Sequence, residues 1–232
     1  IVRASDDAAG LAVATALKTD IITLTQCINT VKQAVSFLNI AAGALARQSD
    51  IFQRAQALAA ASVSGSIDAV SRSYIQLEFS QLANEFDAIS NTTKYGTVLI
   101  ATFDDQFQIG TDTTGSNMFR IDLSGIWPGG FSAESVATVA QAQTAQNNFG
   151  GVGYDISNSL AFIGAYISAL ETRGDIIDTT IENLSSASSS IMDVDIAEEQ
   201  SNLILKQVLS NASIAALAQA NQMSKDLLSI IK

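Results

Sequence analysis

Histidine is absent from this chain, and cysteine, proline and tryptophan occur once each. Without imidazole there is no Ser-His-Asp or Cys-His nucleophile, no His-ligated zinc and no two-histidine metalloprotease helix. Ser-Lys and carboxylate pairs survive that cut, but none stands at a spacing that supports catalysis, so no enzyme is read here. Cys27 lies among Leu24, Ile28 and Val31 on one helical face, which predicts a buried, inert thiol; a lone cysteine forms no disulfide within the chain. Basic residues are few: 12 Lys and Arg against 23 Asp and Glu leave a net charge of −11. Such a chain has little attraction for nucleic acid or anionic membranes. No cofactor and no metal site is expected.

Apolar residues are plentiful by contrast. They make up 47% of the chain and give a mean hydropathy of +0.25, enough for a large core or for association. The uncharged stretch from Gln207 to Ser224 is interrupted by amides and hydroxyls, among them Asn211, Gln219, Asn221 and Gln222, so no membrane span is read. The chain opens at Ile1 with no initiator methionine and no charged-then-apolar leader, and is read as N-terminally truncated.

Apolar residues recur at alternating intervals of three and four through Leu17, Ile21, Leu24, Ile28, Val31, Val35, Leu38, Ala42 and Leu45, the seam of a coiled coil. The seam fades near Ala61, where Ser62, Ser64, Gly65 and Ser66 make a turn. This predicts a first helix over about 6–61, capped by Ser5 with Asp6 and Asp7 in its first turn. Ile75, Phe79, Leu82, Phe86 and Ile89 mark a second helix over about 66–92. Ile156, Leu160, Ile163, Ile167, Leu170, Gly174, Ile177, Ile181 and Leu184 mark a third, over about 154–189, with an earlier helical piece expected from Ser135 to Gln146. Gly174 leaves a hole on that seam, which either admits a knob from a facing helix or marks a weak point. At ~1.5 Å per residue the first helix alone extends about 80 Å, against a radius of gyration of roughly 17 Å for a compact chain of this length. The expected fold is mainly α, an elongated antiparallel coiled-coil-like bundle forming a rod domain over 1–189, whose side surface favours lateral association.

A small β region is expected at about 98–133. Phe103 to Ile121 alternates around the polar run Gly110 to Gly115, which predicts a β-hairpin, and Trp127, Pro128, Gly129 and Gly130 form a loop. Adjacent Asp104 and Asp105 face opposite ways on an extended segment, cannot act as an acid–base pair, and are read as solvent-facing turn residues. Gly150, Gly151 and Gly153 lack the lysine and preceding strand of a phosphate loop and are read as an interruption before the third helix. A fourth helix, 190–232, repeats helical spacing through Ile191, Val194, Ile204, Leu205 and Val208, then becomes apolar on most sides from Ile214 to Ala220. Such a helix requires a partner, and without one it is expected to be sticky or disordered.

The run Ser5-Asp6-Asp7-Ala8-Ala9-Gly10-Leu11-Ala12, then Thr23-Leu24-Thr25-Gln26 and Gly43-Ala44-Leu45, resembles the N-terminal conserved half of bacterial flagellin without a gap. Phe52-Gln53-Arg54, Asn84-Glu85-Phe86-Asp87 and Phe107-Gln108-Ile109-Gly110 resemble its LQRVREL, NEID and hairpin motifs. Asn183-Leu184, Asp193-Val194-Asp195 and Leu217-Ala218-Gln219-Ala220-Asn221-Gln222 resemble the C-terminal half. The resemblance implies a secreted structural subunit that polymerises with other flagellin subunits into the motility filament, with 190–232 as the inner-core helix and no large variable outer domain. It further implies an export chaperone and a cap protein as partners, the chaperone covering a segment that includes Leu205, Val208, Leu209, Leu217, Gln219, Asn221 and Leu227.

The same resemblance maps a strip that contacts neighbouring subunits, and that the vertebrate innate flagellin receptor reads, onto Gln53, Arg54, Leu58 and Glu85. The family's charged end of that motif reads Gln56-Ala57 here, which predicts weak receptor agonism, and its Gln-Asn-Arg near the end of the third helix reads Gly174-Asp175-Ile176. The alternatives are a hook-filament junction protein, which shares the helical ends, and a flagellin-like carbohydrate-binding adhesin with Trp127, Phe131 and Tyr154 as stacking groups.

Overall fold

A computed structural model of the chain describes residues 3, 5, 7–112 and 114–231, with side chains described as far as 224. Asp6, expected in the first helical turn, lies outside the described residues. Four helices dominate: α1 (Ala8–Val63), α2 (Ala69–Thr92), α3 (Val139–Met192) and α4 (Ile196–Ile231). Two hairpins lie between α2 and α3, one of β1 (Lys94–Tyr95) with β2 (Val98–Leu99), the other of β3 (Asp104–Gln108) with β4 (Met118–Asp122). The mainly α bundle with a small β region is therefore as expected from the sequence. The chain divides into two compact units, Thr19–Leu184 and a second made of Ile1–Lys18 with Ser185–Lys232. The expected division at 189 and 190 differs because the first 18 residues group with the C-terminal segment.

In the larger unit α1 runs antiparallel to both α2 and α3. Arg54 meets Glu78 and Gln48 meets Phe86 on α2, while Val31 faces Gly174 and Phe52 faces Gly153 on α3. Rising numbers on α1 thus oppose falling numbers on each partner. The predicted seam is the core: Leu24, Ile28, Val31, Leu38 and Leu45 are buried with Ile163, Leu170 and Ile177. Cys27 is buried there as expected, and burial raises its thiol pKa; its Sγ donates to the Gly110 carbonyl at 3.3 Å. Alone among the described helices α1 is long and apolar enough to cross a membrane, and of its seam Leu24, Ile28, Val31, Leu38 and Leu45 are buried within the larger unit.

A second core is built from five phenylalanines, Phe52, Phe79, Phe86, Phe131 and Phe149. Phe131 sits among the other four rings at centroid distances of 5.1–6.1 Å, geometry worth about 0.5–1.5 kcal/mol per pair beyond area burial. The segment carrying it is tied down along its length. Trp127 Nε1 donates to Ser90 Oγ at 2.9 Å, Ser62 Oγ donates to the Val136 carbonyl at 2.6 Å, and Gln76 Oε1 accepts from the Val136 amide.

Helix limits differ from the sequence reading for local reasons. Asp7, not Ser5, caps α1, its Oδ1 accepting from the Ala9 and Gly10 amides at 3.0 Å each. Asp68 caps α2 through the Ser71 amide at 2.9 Å, and hydrogen bonds from Ser71 hold its carboxyl below the usual range. The turn between these helices is closed by Arg72, which donates to the carbonyls of Ser62, Ser64 and Ile67. The glycine cluster does not interrupt α3, which begins at Val139 because Ala142, Ala145 and Phe149 are buried and hold the helix against the glycines' low propensity. The expected fourth helix from 190 is split, since α3 ends at Met192 and Asp195 caps α4 through the Ala197 amide at 2.8 Å.

Candidate assembly surface

In the hairpin of β3 and β4, Asp104 pairs with Asp122 across the ladder, and Arg120 donates to both carboxylates, at 2.7 Å and 3.3 Å. Hydrogen bonding from Arg120 lowers the Asp104 pKa, and Asp104 in return raises that of Arg120. Asp104 and Asp105 are therefore exposed strand residues, not turn residues. The turn residue is Asp112, whose Oδ1 accepts from the Thr114 amide and hydroxyl and from Asn117 Nδ2, which lowers its pKa. The short hairpin of β1 and β2, not foreseen from sequence, turns at Gly96, whose φ of 61° needs no Cβ. None of these groups forms a catalytic constellation, and among the described residues no three metal-ligating side chains gather.

Of the four strip residues, Gln53, Arg54 and Glu85 are exposed and Leu58 is not: at 7% exposure it belongs to the phenylalanine core. Arg54 Nε and its neighbouring guanidinium nitrogen both donate to Glu78 Oε1, at 2.8 and 2.6 Å. Glu78 escaped sequence reasoning because the register between α1 and α2 is not written in either helix alone. Glu85 lines an open groove of about 580 Å³ with Ile40, Gly43, Arg47 and Asp50 of α1 and Ile89 of α2. The glycan-stacking set is not assembled, since Phe131 is 2% exposed inside the phenylalanine core, Trp127 is half-buried against the other core, and Tyr154 alone is exposed.

The smaller unit presents the opposite picture. Ala14 is its one buried residue among those described, and the described side chains of α4, 196–224, are all exposed. Leu205, Val208, Leu209 and Leu217 are between 58% and 64% exposed, with Gln219 and Asn221 also exposed; Leu227 lies on α4 with its side chain outside the described residues.

Comparison with known proteins decides the family. The N-terminal helical region of bacterial flagellin matches residues 1–101, and its C-terminal helical region matches residues 151–231. This chain belongs to the bacterial flagellin family. A flagellin of Halalkalibacterium halodurans is 32% identical over 99% of this chain and 86% of its own length. A flagellar filament 33 kDa core protein of Treponema phagedenis is 31% identical over 99% and 87%, and a flagellin of Listeria monocytogenes 31% identical over 97% and 85%. The solved structure of Bacillus cereus flagellin aligns at 18% identity with a TM-score of 0.46, covering 70% of this chain and 92% of that one. As a flagellin, the chain is a structural subunit of the bacterial flagellar filament.

Proposed function

We propose that α4 forms the buried inner contact of the filament, and that Gln53, Arg54 and Glu85 belong to an outer strip read by neighbouring subunits. The observation that carries this is the all-round exposure of apolar α4. Each Leu or Val covered on assembly contributes about 1.5–3 kcal/mol, so a modest stretch of helix drives polymerisation. In the cytoplasm the same surface is the segment an export chaperone covers before secretion, with the cap protein guiding assembly at the filament tip. Catalysis plays no part. The strip does not reproduce a strong receptor epitope, because Leu58 is buried and Arg54 is already held by Glu78.

Hydrogen exchange tests the α4 assignment directly. Amides of 200–222 exchange freely in the monomer and become protected about 100-fold or more in the polymer, as a helix buried on assembly must. Equal exchange in both states contradicts it. For the chaperone role, deleting residues from Ser210 onward abolishes co-purification, and unchanged binding refutes that part.

A further inference from the structure

The hole that Gly174 leaves in the third seam is not filled by a facing side chain. A groove of about 380 Å³ opens there between α1 and α3, floored by Val31 and Val35. The fold does not need glycine at this place. An added Cβ would meet only Val31 Cγ1, at 3.6 Å, which is ordinary contact, and alanine is the better helix former. What alanine would remove is room.

Glu171, Asp175 and Asp178 of α3 line the groove, facing Lys32 of α1. Their spacing of four and three sets the carboxylates on one helical face. Among the described residues none of them, nor Lys32, forms an ion pair within 4 Å, and the carboxylates do not gather as metal ligands would. An apolar floor under a net negative rim complements a long aliphatic stem with a cationic tip, that is, lysine or arginine. The same unit supplies such a group away from the notch, for Lys94 on β1 is exposed and free of ion pairs. A notch and a base carried by different elements of one subunit make a heterologous contact, which propagates as an open helical polymer where a self-complementary patch would close as a dimer.

We propose that the Gly174 notch receives a basic side chain from a second copy of this chain, as one of the contacts between filament subunits. The proposal rests on the filament reading and names a contact within it.

Seeded elongation by the full chain tests it, reading the critical concentration and, alongside, the thermal midpoint of the monomer. Gly174→Ala raises that midpoint by about 2–4 °C while raising the critical concentration, so stability and assembly move in opposite senses. Gly174→Leu fills the notch and raises the critical concentration about tenfold or more. Asp175→Asn with Asp178→Asn raises it severalfold and flattens its dependence on salt. If all three variants elongate seeds at the parent concentration and salt dependence, the notch proposal is overturned while the filament reading stands. Should the leucine variant fail to fold, the alanine and asparagine variants decide alone. A parent chain that elongates no seeds overturns the filament reading and this contact with it.

Discussion

A methyl group at Gly110 would fall 2.2 Å from Asn117 Oδ1 and 2.7 Å from Asn117 Cβ, too close for the amide simply to swing aside. Gly110→Ala therefore destabilises the larger unit by about 1–3 kcal/mol through overpacking, measurable as a lower urea midpoint. Asp104 offers a pH test. Its folded pKa lies below its unfolded value, so its contribution to stability is complete above the unfolded carboxylate range and is lost as pH falls through the folded pKa. Asp104→Asn thus narrows the loss of stability on acidification below about pH 4, read from urea midpoints between neutral and acid pH. Cys27 was legible in the sequence because one seam position decides burial. Leu58 and Phe131 were not, since periodicity gives a helix face, and a loop has no face until a core receives it.

At the scale of elements, the seams identified α1, α2 and α3 correctly, and alternation found the hairpin of β3 and β4. The start of α3 was hidden by Gly150, Gly151 and Gly153, whose local propensity argues for a break that tertiary burial of Phe149 and Ile156 overrides. Gly150 and Gly151 have open space where a Cβ would sit, whereas at Gly153 a Cβ would come within 3.2 Å of the Phe52 ring. Gly150→Ala and Gly151→Ala accordingly stabilise the chain by about 0.4–1 kcal/mol each, and Gly153→Ala does not share that gain. A helix break in this region would produce three equal and negligible effects in thermal unfolding. Arg72, unforeseen because its partners are backbone carbonyls, closes the turn after α1. Arg72→Ala costs about 1–3 kcal/mol by leaving those acceptors short of donors.

The whole molecule pairs a well-buried unit with a helix whose apolar residues remain in solvent. That contrast was visible in the sequence as a C-terminal segment apolar on most sides from Ile214 to Ala220, whereas the burial of Phe131 in a loop was not, because a loop carries no periodicity. The filament account makes α4 the driving surface of polymerisation. Its most direct test is negative-stain electron microscopy of flagellar seeds incubated with the parent chain and with the Leu205→Asp, Val208→Asp variant. The account predicts that the parent elongates the seeds, whereas the variant, with the same helix content and thermal midpoint, does not. Elongation by the variant at the parent's rate would contradict it.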